Sequence, residues 1–135
     1  MEPVASGRPE AYVLIVDDDP LVLDLVTTRL ESAGYNVTTA GDAWQEVIQA
    51  QALRLGLLIT DIQMPGFGSG IDAYKKLRQL SPRLPVVFIT GVNPEQAKKT
   101  LDDLKDPRVR LVPKPIDFAL LRAVIKQLTG IDRPL

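Results

Sequence analysis

The sequence predicts an α/β fold, an open doubly wound sheet of parallel strands. Three observations predict it. Five short β-type runs alternate with stretches of helical periodicity along the 135 residues. Three of those runs are apolar throughout, as strands covered on both faces are. Four of the five helical stretches also have their own start signal after a run, and the alternation is the βαβαβ pattern of a parallel sheet.

The elements follow in order. Residues 1–10, MEPVASGRPE, are polar and are expected to form a disordered tail. The first run is Tyr12–Val16. Asp19-Pro20 then reads as a helix N-cap followed by an N1 proline, and Val22, Leu25, Val26, Leu30 and Ala33 recur at helical spacing until Gly34. The second run, Tyr35–Thr39, alternates polar and apolar residues, which suits an edge strand. Asp42 caps a helix to about Leu53, and Leu57–Thr60 is the third run. A helix from about Ile71 to Leu80, closed by Ser81-Pro82, leads to the fourth run, Val86–Thr90. Asn93-Pro94-Glu95 opens the fourth helix, Val109–Val112 is the fifth run, and Asp117 opens a last helix carrying Leu121, Ile125 and Leu128 before Gly130. The expected organisation is one (βα)5 domain over residues 11–130 with a short C-terminal tail, 131–135. With the second strand at an edge and right-handed crossovers, the simplest strand order is 2-1-3-4-5.

Composition narrows the chemistry. The chain has no Cys, which excludes a disulfide scaffold, thiolate zinc sites and a Cys nucleophile. It has no His, which excludes a Ser-His-Asp triad, histidine metal ligation, imidazole acid–base work and a phosphohistidine carrier. Sixteen Lys+Arg against seventeen Asp+Glu leave a net charge of −1, which argues against charge-driven nucleic-acid binding. No apolar run approaches a membrane span and the first ten residues hold no hydrophobic stretch, so the expected compartment is the cytoplasm. Carboxylates, hydroxyls, Lys and Arg remain.

In a parallel sheet all carboxyl ends lie on one edge, and ligands bind there at the point where strand order reverses. Asp17 and Asp18 follow the first strand, Asp61 ends the third, Thr90 ends the fourth and Lys114 follows the fifth. Each has an ordinary reading by itself: a turn residue, a local hydroxyl, a solvated lysine. Asp19 keeps its ordinary reading as a cap. The order 2-1-3-4-5 brings the other five into one crevice. Three carboxylates so gathered repel, each pair at ~4 Å by roughly 4 kcal/mol at an effective dielectric of ~20. A hard divalent cation relieves that repulsion, and Mg²⁺ typically takes one or two carboxylates plus phosphate oxygens. A lysine and a threonine beside it suit a phosphoryl group.

Val-Leu-Ile-Val-Asp17-Asp18-Asp19-Pro, Thr-Asp61-Ile-Gln-Met-Pro65, Phe-Ile-Thr90-Gly and Val-Pro-Lys114-Pro115 closely resemble the response-regulator receiver domain of two-component signalling. The resemblance runs from about Ala11 to Leu128 with all four motifs in order. The family has a flavodoxin-like fold with the same 2-1-3-4-5 order, so the strand order above and the resemblance form one expectation. The resemblance, to receivers of the single-domain type, implies a phosphorelay phosphoacceptor that is a switch and not a turnover enzyme. Asp61 would take a phosphoryl group from a phosphohistidine on a sensor kinase or histidine phosphotransfer protein. Asp18, Asp61 and the backbone carbonyl of Gln63 would ligate Mg²⁺ (or Mn²⁺), with Asp17 acting through water. Thr90 and Lys114 would hold phosphoryl oxygens, and the Lys114-Pro115 bond would be cis.

Three departures from the family pattern stand out. The loop Gly66-Phe-Gly-Ser-Gly70 is one residue longer than usual and reads as flexible. Leu111 stands where receivers often carry the aromatic residue of their threonine–aromatic switch, and Ile116 stands at a commonly aromatic position. Gln63 and Val92 fall where the family tunes autodephosphorylation, and Val92, unable to orient a water, favours slow loss of phosphate. Leu23 is a candidate phosphodonor contact, while Leu120 and Val124 form a second apolar line on the last helix, and for both core packing is the favoured reading. Output is expected through protein–protein contact on the face formed by the fourth helix, fifth strand and fifth helix, as a monomer or a phosphorylation-dependent dimer, with neither nucleic acid nor membrane as partner. Two other readings are weighed. One is a receiver-like binding module that works without phosphate. The other is a haloacid-dehalogenase-like phosphohydrolase using D-x-D at Asp17 and Asp19, with Asp17 as nucleophile; its late acidic metal ligands would have to be Asp117 or Asp132.

Overall fold

The computed structural model describes residues 11–62, 70–91 and 93–135. The expected tail 1–10, together with Gln63, Gly66–Ser69 and Val92, lies outside them. In chain order the elements are β1 (Tyr12–Val16), α1 (Pro20–Ser32), β2 (Asn36–Ala40), α2 (Ala43–Ala52), β3 (Leu55–Asp61), α3 (Gly70–Leu80), β4 (Val86–Thr90), α4 (Pro94–Leu104), β5 (Val109–Pro113) and α5 (Phe118–Thr129). The strands form one sheet in the order β2-β1-β3-β4-β5, and every neighbouring pair is parallel.

Period-two alternation along the strands sorts the core into two layers. Leu14, Val16, Leu58 and Phe88 face α2 and α3, where Ala43, Ala73, Tyr74 and Leu77 meet them and Leu101 and Leu104 of α4 pack alongside. Val13, Ile15, Ile59, Val87 and Ile89 face α1 and α5, against Val26, Leu30, Leu121 and Ile125. All five residues of β4 are buried, as its unbroken apolar run requires, while edge strand β2 exposes Asn36 and Thr39.

The predicted caps close their helices. The carboxylate of Asp19 accepts the Leu21 N–H at 2.9 Å, Asp42 accepts from Gln45 at 2.8 Å, Asn93 from Glu95 at 2.9 Å and Asp117 from Ala119 at 2.9 Å. α5 stops at Gly130, whose φ of 77° is the left-handed value a C-terminal glycine supplies.

Some boundaries and faces differ from the sequence reading. β2 begins at Asn36 and runs to Ala40, because its register pairs Tyr12 with Asn36 and Val16 with Ala40. β3 starts at Leu55 and includes Asp61. On α1, Leu23 packs with Val22 against the α1/α5 layer, while Leu21 and Leu25 are exposed. Val26 and Leu30 are fully buried with Val22 and Leu23 half-buried beside them, and Leu25, expected in the stripe, lies outside it. On α5 Val124 packs into the core as favoured, while Leu120 is exposed. The last residues fold back over the same layer: Asp132 pairs with Arg122 at 2.6 Å, the Arg133 guanidinium stands 4.6 Å from the centre of the Tyr35 ring, and Leu135 packs against the core.

Candidate functional site

Because the strands are parallel and in this order, their carboxyl ends place the five predicted residues together. Asp17 and Asp18 leave β1, Asp61 is the last residue of the adjacent β3, Thr90 is the last of β4, and Lys114 follows β5. One carboxylate oxygen from each of Asp17, Asp18 and Asp61 lies within 4.8 Å of the others. Asp17 is fully buried, Asp61 is 6% exposed and Asp18 faces solvent.

Local hydrogen bonds hold this arrangement. The Asp17 carboxylate accepts the Asp19 N–H at 2.9 Å, and its own N–H donates to the Ala40 carbonyl at 3.3 Å, tying the acidic turn to β2. The Lys114 N–H donates to the Thr90 carbonyl at 2.7 Å, which carries the β4–β5 pairing one residue past the sheet. The Lys114-Pro115 peptide bond is cis. The Lys114 ammonium lies between two acids, 2.7 Å from Asp17 and 2.8 Å from Asp61. Burial pulls the Lys114 ammonium down, but the hydrogen bonds and charges of Asp17 and Asp61 outweigh it and raise its pKa above the ordinary lysine value.

Three carboxylates and one ammonium leave two negative charges in a half-open cleft of hard oxygen donors. That donor set fits a hexacoordinate Mg²⁺, which keeps several waters and uses few protein ligands.

Two neighbours of the site were not singled out by the sequence reading. Gly70, read as part of a flexible loop, opens α3: its N–H donates to the Ile62 carbonyl at 3.0 Å, and a Cβ there would meet the Asp61 carbonyl oxygen at 2.0 Å. Only glycine allows this approach of α3 to β3. Beneath the site Glu46 of α2 is fully buried, and its Oε1 accepts the Thr60 hydroxyl at 2.8 Å, one residue before Asp61. Burial pushes the Glu46 carboxyl up to about 7, against a smaller lowering by the Thr60 hydroxyl. Its signal in the sequence is position: Ala43, Glu46, Val47 and Ala50 share one face of α2, an otherwise apolar stripe.

Compared with known families, residues 13–126 match the response regulator receiver domain. The chain belongs to that family. Among curated proteins, this receiver is similar to the probable transcriptional regulatory protein TcrX of Mycobacterium tuberculosis, 38% identical over 87 residues, 64% of this chain and 36% of that protein. It is also similar to the autoinducer 1 sensor kinase/phosphatase LuxN of Vibrio campbellii, 33% identical over 122 residues, 90% of this chain and 14% of that protein. The receiver thus spans little more than a third of the one and a seventh of the other. Among solved structures it resembles a CheY-like receiver from Methanospirillum hungatei, with a TM-score of 0.77 at 25% identity over 90% of this chain and 96% of that one. The chemotaxis protein CheY4 of Vibrio cholerae gives 0.76 at 28% identity over 89% and 99%.

Receiver domains are signalling phosphoacceptors that bind Mg²⁺ through an acidic cluster and interact with histidine kinases or phosphotransfer proteins. Asp17, Asp18 and Asp61 form such a cluster here. Among the described residues no helix is long and apolar enough to cross a membrane.

Proposed function

We propose that this receiver is switched by phosphorylation of Asp61. The observation that carries the reading is the position of the Lys114 ammonium, bridging Asp17 and Asp61 at the carboxyl edge of the sheet with Thr90 on the next strand. In the proposed step an Asp61 carboxylate oxygen attacks the phosphorus of a phosphohistidine. A P–O bond forms as the P–N bond breaks, and the imidazole leaves on the donor. Mg²⁺, held by Asp18, Asp61 and the Gln63 carbonyl with Asp17 acting through water, would supply charge neutralisation of the transferring oxygens. Lys114 exchanges its contact with the Asp61 carboxylate for one with a phosphoryl oxygen, and the Thr90 hydroxyl takes another. Phosphorylation adds about −1.5 to −2 charge at Asp61, and drawing Lys114 and Thr90 inward repopulates the α4–β5–α5 face toward a downstream protein.

The proposed unit is a single receiver domain over residues 11–130, acting in the cytoplasm, with Mn²⁺ able to replace Mg²⁺. Two features weigh against Asp17 as a phosphohydrolase nucleophile: it is fully buried, and Asp19, the second acid of the D-x-D pair, is occupied in capping α1. Intact mass after incubation with a small phosphodonor, with and without Mg²⁺, tests the proposal. A Mg²⁺-dependent phosphoryl adduct on the wild type, absent from Asp61→Asn, is expected. No adduct on the folded wild type leaves the phosphate-independent binding module as the reading, and an adduct that persists in Asp61→Asn but not in Asp17→Asn moves the nucleophile to Asp17.

A further inference from the structure

A buried carboxyl is costly, and a well-packed apolar residue of similar volume at the same place generally matches or exceeds its stability. Glu46 carries that cost within the α2/α3 layer, fully buried and away from the cleft, and its Oε2 meets no donor among the described residues. What it does hold is the hydroxyl of Thr60. That hydroxyl has two acceptors within reach: Glu46 Oε1 at 2.8 Å and, at 3.3 Å, the backbone carbonyl of Asp61. The same Asp61 carbonyl is the one against which Gly70 packs so closely that no side chain fits between. Of the two acceptors the Thr60 hydroxyl stands closer to Glu46.

We propose that Glu46 is a positioning residue for Asp61, acting through Thr60: by taking the Thr60 hydroxyl it leaves the Asp61 peptide where α3 and β3 set it, and so keeps the carboxylate aimed at the phosphodonor. The proposal rests on Asp61 being the phosphoacceptor. An apolar residue at position 46 frees the hydroxyl to turn to the Asp61 carbonyl and rotates the end of β3. The consequence reaches the acid by way of the backbone, without any contact between Glu46 and the reacting atoms.

The test is the rate constant of adduct formation on Asp61 from a small phosphodonor at saturating Mg²⁺, in wild type, Glu46→Leu, Thr60→Val, the double variant and Glu46→Gln, with thermal midpoints recorded alongside. Glu46→Leu and Thr60→Val are each expected to slow the reaction about fivefold, the size of one net hydrogen bond. The double variant is expected to be no slower than either single, because both remove the same constraint. Glu46→Gln, whose amide oxygen still accepts from Thr60, restores the rate to within about twofold of wild type. Unchanged rates in the single variants, whatever their thermal midpoints, overturn the proposal, as do single effects that multiply in the double. A wild type that forms no adduct fails the phosphoacceptor reading itself; an adduct that forms equally fast in every variant fails only this inference.

Discussion

The Lys114 ammonium and the Asp61 carboxylate stand 2.8 Å apart although 53 residues separate them in the chain. The ends of β3 and β5 reach the same edge with only β4 between them, and the Lys114 N–H bond to Thr90 fixes how far the lysine extends. The ammonium stands in for part of the positive charge that the acidic cluster requires.

Lys114→Ala therefore separates metal binding from switching. Without metal the variant leaves three carboxylates uncompensated and should lose about 2 kcal/mol of stability, less than for a fully buried pair because the lysine is partly exposed. Mg²⁺ should restore most of that loss and bind the variant more tightly than the wild type. Thermal melts across a Mg²⁺ titration check this; a variant as stable as wild type in the absence of metal contradicts it.

The raised carboxyl of Glu46 gives stability a pH dependence of defined sign. With an unfolded value near 4.5 and a folded value of about 7, the folded chain retains a proton that the unfolded chain releases. Stability is greatest below the unfolded value and falls as pH rises through about 7, by about 3 kcal/mol in all. Urea unfolding at pH about 5 and about 8 should show this decline in wild type and a much flatter response in Glu46→Gln.

Gly70→Ala places a methyl carbon on the Asp61 carbonyl, and backbone on both sides leaves no cheap relief. A loss of about 2–3 kcal/mol is expected, with a phosphorylation rate that falls further than the remaining folded fraction explains. Denaturant melts paired with adduct mass measure both. Full stability and full rate together would show that α3 can move away at no cost.

Tyr74 and Phe88 meet edge to face, ring centres 5.5 Å apart, and the Tyr74 hydroxyl donates to Asp106, which also pairs with Arg78 at 2.8 Å. Burial pushes the Asp106 carboxyl up, but the hydrogen bonds from Tyr74 and the Arg108 N–H, together with the Arg78 charge, outweigh it and hold the group below its ordinary value. Its contribution is present above the unfolded carboxylate range and is lost as pH falls through the lowered one. Tyr74→Phe should cost about 1 kcal/mol near neutral pH and move the Asp106 titration upward. Carboxyl NMR titration of the two proteins reads this directly.

Much of the molecule was legible because its signals are local. Asp19, Asp42, Asn93 and Asp117 cap helices through bonds spanning two or three residues, so their roles follow from sequence spacing. The apolar run of β4 required cover on both faces, and the alternation of β2 required an edge. The site was legible for a topological reason: parallel strands in this order deliver Asp17, Asp18, Asp61, Thr90 and Lys114 to one edge whatever the packing details. Leu25 was assigned to the wrong face because neighbouring leucines at 21, 23 and 25 allow more than one helical stripe, and only docking against the sheet chooses Leu23 over Leu25. The aromatic residue missing at Leu111 has no replacement visible from spacing alone. In the fold Leu111 is paired across the sheet with Phe88, whose ring meets Tyr74 edge to face.

By itself the sequence determined the class of the fold, its strand order, its helix caps and the five residues of the acidic edge, because periodicity, capping and parallel topology are carried by short spacings. Tertiary structure alone decided which face of α1 is buried, how closely Gly70 approaches Asp61, and that a glutamate in an apolar stripe is buried against Thr60. The first depends on docking of α1 in the layer it shares with α5, the other two on contacts of α2 and α3 with β3 nine to fourteen residues apart in the chain; in each, burial and close packing, not local preference, set the energy.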